Sequence, residues 1–165
     1  MAHATRRTLG LILLAGWTAA LAACSSDTTA DGLDIRRVGI GGETFRLEVA
    51  DTPEARFQGL SDRPEIAENG GMLFVFPDER ERYFVMRRCL VPIDILFLAP
   101  DGTVLNTHAM RLEPPGTPEE DLERYASDGR TAIAIELAGG TIERLGVGPG
   151  DRVELPIREL KRNAR

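Results

Sequence analysis

Apolar and polar residues alternate with a period of two from Thr44 to Ala50, where Phe45, Leu47 and Val49 are separated by Arg46 and Glu48, and this predicts a half-buried strand. Thr52, Pro53 and Gly59 follow as an N-cap, a first-turn proline and a stop, so one short helix is expected between them. The unbroken apolar run Gly71 to Phe76 reads as a strand covered on both faces, closed by Pro77 and a solvated charge run from Asp78 to Arg82. Further strands are predicted over Tyr83 to Met86, Ile93 to Leu98, Thr103 to Met110, Thr131 to Leu137 and Asp151 to Ile157, with Asp101 and Gly102 as the left-handed residues of a tight hairpin. Thr141 caps a second short helix that stops at Gly146, and the proline-rich stretch Leu112 to Gly129 reads as a long surface loop. At least six strands, two short helices and no parallel βαβ rhythm place the chain in the mainly-β class, as a small antiparallel β-sandwich or barrel-like domain.

The N-terminus carries a different pattern. Arg6 and Arg7 precede the apolar run Leu9 to Ala23, which is shorter than the roughly 20 residues a spanning helix needs and has the order of an export signal. Leu21, Ala22, Ala23 and Cys24 resemble a bacterial lipobox, which implies lipidation of Cys24 and removal of residues 1–23. Residues 24–32 then form a flexible tether, and residues 33–165 a single β domain ending in a short charged tail. A lipid on Cys24 anchors the protein on a membrane of the bacterial cell envelope, facing the periplasm or the exterior. Ser25 in place of an aspartate favours the outer membrane if the cell has one.

Charge narrows the choice of partners. The chain has 20 basic and 26 acidic residues, a net charge of −6, and loss of Arg6 and Arg7 takes the mature form to −8. With no basic stripe to offset that balance, nucleic acid is excluded as a partner. With Cys24 committed to lipid, Cys89 is the remaining thiol and no intramolecular disulfide can form.

Strand alternation places Ile93, Ile95 and Phe97 on one face and Asp94, Leu96 and Leu98 on the other. A carboxylate between leucines needs a partner, and Arg87 or Arg88 is the expected one. Glu136 stands out equally, opposite Ile133, Ile135 and Leu137. Met86, Arg87, Arg88, Asp94 and Glu136 are therefore the candidate binding residues, for a small polar ligand, a glycan or an envelope protein, with no cofactor expected.

An alternative places Cu(I) on Met86, His108 and Met110, because imidazole and thioether two apart on a strand can share a soft metal. The 22-residue spacing of Met86 and His108 is similar to part of the PCu(A)C copper-chaperone pattern, although Val75 stands where that pattern has a histidine. A third reading gives the 112–129 loop to a protein partner. A fourth, catalytic one pairs Asp94 with Glu136. Hydrolase, Walker and dinucleotide motifs are absent from the sequence.

The ordered motifs EVADTPEARFQGL, GGMLFVFP, FVMRRCLVPIDILFLAPDG and AIELAGGTIERLGVGPGD resemble those of the family called domain of unknown function 192, from Phe45 to Val153. The resemblance implies a compact mainly-β fold and no established activity. Where that family commonly reads Trp-Met-Lys-Asn-Thr, this chain has Val85, Met86, Arg87, Arg88 and Cys89. Pro92, Asp94 and Glu136 fall on family motif positions.

Overall fold

The computed structural model describes Met1 and residues 27–165. The predicted signal segment and Cys24 lie outside the described residues. Among the described residues eight strands form two sheets. The larger has β1 (Ile35–Ile40), β2 (Glu43–Ala50), β3 (Gly70–Arg80), β5 (Ile93–Leu98), β6 (Val104–Met110) and β8 (Thr131–Ala138), in the order β1-β2-β3-β8-β5-β6. The smaller pairs β4 (Tyr83–Phe84) with β7 (Tyr125–Ala126). The result is the mainly-β, sandwich-like architecture expected, without closure into a barrel.

One pairing departs from the antiparallel expectation. β2 and β3 run parallel, with Leu47 opposite Gly71 and Val49 opposite Leu73. Parallel neighbours require a crossover of a dozen or more residues, and residues 51–69 supply it with α1 (Pro53–Gln58) on board. The cap reading of α1 holds: Thr52 accepts from the Ala55 N–H at 3.2 Å, and Gly59 ends the helix at φ 52°.

Both faces of the large sheet are covered. On the first, Phe45, Leu47, Leu73, Val75, Leu96 and Ile135 pack under Val147, Val153, Ile157 and Leu160. On the second, Met72, Phe74, Ile93, Ile95 and Phe97 pack under Leu60, Met86 and Tyr125. β3 and β5 carry apolar side chains in both directions because they lie inside the sheet, as the unbroken run in β3 predicts.

The C-terminal segment differs from the predicted strand and charged tail. A single bridge between Thr103 and Arg152 replaces the strand, and α3 (Ile157–Asn163) follows Pro156. Ile157 and Leu160, three apart, bury one stripe of this helix while its charges face outward. Together with α2 (Thr141–Leu145) this makes three α-helices among the described residues where two were expected. At the other end, Asp27 reaches back to Arg46 at 2.8 Å and Thr28 bridges Asp34, so the fold extends into the segment expected as tether. In the β5–β6 hairpin only Gly102 takes a positive φ, while the Asp101 carboxylate accepts from the Thr103 N–H.

Gly71 is where the sheet tolerates no side chain. Its φ is 147°, and a Cβ there would collide with the Glu136 carbonyl and press on Leu137 and Leu47. Gly71→Ala is expected to destabilise the domain by at least about 3 kcal/mol in denaturant unfolding, through backbone clash at the centre of the sheet.

Candidate ligand-binding cleft

β8 shapes the second face. Ile133, Ile135 and Leu137 point into the first layer, which leaves Ala132, Ala134 and Glu136 on the other side. Small alanines cannot fill that side, and a cleft of about 510 Å³ opens there. Glu136 lies at its floor, paired in register with Met72 of β3 and Ile95 of β5. The walls come from α1 and its exit (Arg56, Phe57, Ser61), the end of β3 (Phe74, Phe76), β4, the Arg87 to Cys89 turn, and Arg124.

The aromatic walls are locked by edge contacts. Phe84 meets Phe74 at 5.0 Å, Phe97 at 5.5 Å and Phe76 at 6.3 Å between ring centres. These offset geometries suit the ring quadrupoles. Phe76 in turn carries two guanidinium groups, Arg82 at 3.8 Å and Arg56 at 5.1 Å from its centre. Arg87 lies over Phe57, and Arg124 over Tyr83.

Arg82 corrects the reading of the charge run as solvated, since it is only 6% exposed. β3 continues through Pro77 with a register shift between Val75 and Arg80, and just past its end Arg82 donates its N–H to Ser127 Oγ at 3.0 Å and lies over Phe76. One terminal nitrogen holds Asp78 through its carbonyl at 2.7 Å and its carboxylate at 2.6 Å, while the buried Nε has no partner among the described residues. Burial is the main force lowering the Arg82 and Arg56 pKa values. Both stay cationic at neutral pH because guanidinium starts so high. In all, Arg56, Arg80, Arg82, Arg87 and Arg124 line the cleft against two carboxylates, Glu81 and Glu136. Asp78 pairs with Arg80 and Arg82, and Glu119 with Arg87, so the excess of arginine along the lining is partly balanced at its edge.

Glu136 is 5% exposed, and no hydrogen bond reaches its carboxyl from the described residues. Burial pushes its pKa up to about 8 from 4.5, with the nearby Arg63 opposing. Arg63 itself is clamped by Glu48 through two bonds at 2.5 and 2.7 Å, so its charge is largely spent elsewhere. The Cys89 thiol is pushed up to about 12, by burial first and then by Glu136 and Asp62. It stays protonated at neutral pH and is a poor nucleophile.

The expected network of Asp94 with the two arginines does not form. Asp94 lies on the first face, opposite Leu137, and its carboxylate accepts the Ile142 N–H of α2 at 2.8 Å. Arg87 pairs with Glu119, and Arg88 bonds Asp62 at 3.0 Å. Arg88 adopts φ 48°, a left-handed value that asparagine, the residue of the family pattern, takes more easily. Asp94 and Glu136 occupy opposite faces of the sheet, which removes the carboxylate-pair arrangement.

Met86 and Met110 are both buried in the second-face core. His108 stands on β6 with Nε2 2.7 Å from the Ala126 carbonyl, a contact that orients that nitrogen as a donor. Of the sequence candidates, Arg87 and Glu136 line the cleft; Arg88, Asp94, His108, Met86 and Met110 do not. The residues that sequence reasoning missed are Arg56, Phe57, Arg82, Tyr83, Phe84 and Arg124. The aromatics beside arginines in "RERYF" were the one local signal for them. The 112–129 loop contributes a wall, through β7 against β4, Glu119 on Arg87 and Arg124 on Tyr83.

Fold and cleft together define a two-sheet, mainly-β domain with an arginine-lined, aromatic-walled cavity. The chain belongs to the DUF192 family, described as an uncharacterized ACR, whose model matches residues 36–155. Two solved structures are similar. One is a protein of unknown function from Novosphingobium aromaticivorans DSM 12444, 32% identical with a TM-score of 0.70, covering 86% of this chain and 100% of that one. The other, from Sinorhizobium meliloti 1021, is proposed as a transcription regulator; it is 36% identical with a TM-score of 0.59, covering 73% of this chain and 90% of that one. No curated protein matches significantly.

The raised pKa of Glu136 has a stability consequence with a definite sign. From pH 4.5 to about 8 the folded chain keeps a proton that the unfolded chain has released. Stability from this group is full below that window and falls as pH rises through it. The unfolding free energy of the wild type is expected to fall by roughly 3 to 5 kcal/mol across the window relative to Glu136→Gln, measured by urea unfolding at several pH values.

Proposed function

We propose that this domain is a non-catalytic binding module for a small anionic ligand with a ring-shaped body, held in the Arg82 cleft. The observation that carries the reading is Arg82 itself: a guanidinium almost removed from water, held by Asp78 through one terminal nitrogen and with an Nε that has no partner among the described residues, in a cavity lined by five arginines and two carboxylates. Burying a charge costs several kcal/mol unless its partners repay it. An anion completing that set is the natural counterpart, because the guanidinium fork matches carboxylate geometry. The five aromatic residues Phe57, Phe74, Phe76, Tyr83 and Phe84 supply the apolar walls against which a ring packs.

D-Glucuronate and 4-acetylbenzoate are suitable probes, with D-glucose and 4-methylacetophenone as uncharged counterparts. Calorimetric titration is expected to show binding of at least one acid, a tenfold or greater preference for it over its counterpart, and a comparable loss in Arg82→Gln. Equal binding of acid and counterpart would contradict the reading.

The lipobox supports placing the module on the outer face of a bacterial membrane. Two residues separate Cys24 from Asp27, a span of at most about 11 Å, so the Asp27 and Arg46 end of the domain would lie close to the bilayer. Cys24→Ser is expected to move the protein from the membrane fraction to the soluble fraction and to abolish labelling with a palmitate analogue. Unchanged fractionation would remove the anchor.

A further inference from the structure

Glu136 lines the cleft with a carboxyl that takes no hydrogen bond from the described residues. We propose that Glu136 binds the ligand as a neutral carboxylic acid, donating a hydrogen bond to an acceptor at the end of the ligand opposite its charge. The pocket would thus take a ring-bearing anion with a carbonyl, ether or hydroxyl oxygen distal to the carboxylate. This rests on the anion-binding reading above and adds the second half of the recognition.

The geometry carries it. Glu136 is 95% buried by virtue of its 5% exposure, sits on the central strand between Met72 and Ile95, and lines the cavity without a hydrogen bond from the described residues. A buried carboxyl without partners costs more than an apolar side chain at the same place. The titratable groups facing it are few. From the segment after α1 comes Arg63, held by Glu48; from the segment before β5 comes Cys89, a neutral thiol. β3 and β5 present Met72, Phe74, Ile95 and Phe97, which carry no charge. The cationic rim and the uncharged floor therefore recognise different parts of one molecule. The raised pKa of Glu136 agrees, since it keeps the acid protonated at neutral pH.

Ionisation of Glu136 removes the donor and sets a negative charge facing a bound anion. Affinity should be constant below about pH 8 and fall above it, by up to tenfold for each further pH unit while one proton is required for binding.

The test uses the full-length protein and 4-acetylbenzoate, with 4-isopropylbenzoate as an isostere lacking the acceptor, titrated by calorimetry at pH 6.5 and 9.5. At pH 6.5 the wild type should prefer 4-acetylbenzoate by tenfold or more, and its affinity should fall by at least tenfold at pH 9.5. Glu136→Gln, which keeps an N–H donor, should bind 4-acetylbenzoate at both pH values alike, and Glu136→Leu should lose the preference for the acceptor. Thermal unfolding of both variants confirms that they are folded. No preference between the isosteres, or a Glu136→Leu variant that binds 4-acetylbenzoate as the wild type does, overturns the role of Glu136 and leaves the anion cleft standing. A wild type that binds neither 4-acetylbenzoate nor D-glucuronate overturns both.

Discussion

The burial of one acidic side chain at the centre of the sheet sets the terms for everything around it. β8 is hydrogen-bonded on both sides, to β3 and to β5, so Glu136 cannot turn to the other face without breaking the middle of the large sheet. Its neighbours on the same face of the strand are alanines, beside a space that Phe74, Phe76 and Phe84 wall. Gly71 lets β3 approach closely enough to seal the far side. A carboxyl held this way has two options, to find a cation or to keep its proton. With Arg63 drawn off to Glu48, the proton wins.

Charge is distributed against the net balance of the chain. Apart from Asp94 and Glu136 the described carboxylates are exposed or half-buried, while Arg56 and Arg82 turn inward onto Phe76 and Arg87 and Arg124 cover the rim aromatics. Cation and ring contacts of this kind gain strength as water is excluded. They also hold the guanidinium planes in fixed orientations, which lowers the entropy cost of receiving an anion. The cleft is built from segments far apart in sequence, from Arg56 to Glu136.

Much of the fold was legible locally. The Thr52 cap, the doubly covered β3 and the two faces of β5 follow from periodicity and turn chemistry, and all three stand as expected. Glu136 was legible too, as a charge out of place on an apolar strand. Pairing order was not: nothing within β2 or β3 announces that they lie side by side and parallel, because that choice depends on how α1 packs across them. Asp94 shows the same limit. Its face was assigned correctly, but its partner is a backbone N–H 48 residues away and not a nearby arginine. Arg82 was read as solvated because its burial comes from Phe76 and Ser127, and the second of these lies 45 residues downstream. The apolar stripe of α3 is two residues, Ile157 and Leu160, among charges, too short to separate from a tail.

The central claim is that the cleft floor holds an uncharged acid at neutral pH. It is tested most directly by following the side-chain carboxyl carbon of Glu136 by carbon-13 NMR as pH is raised, with Glu136→Gln used to assign the signal. The account predicts a midpoint near 8. A midpoint near the ordinary 4.5 would mean that the floor is charged under all physiological conditions, and the cleft would then have to be reread as a site for cations or hydroxyl groups.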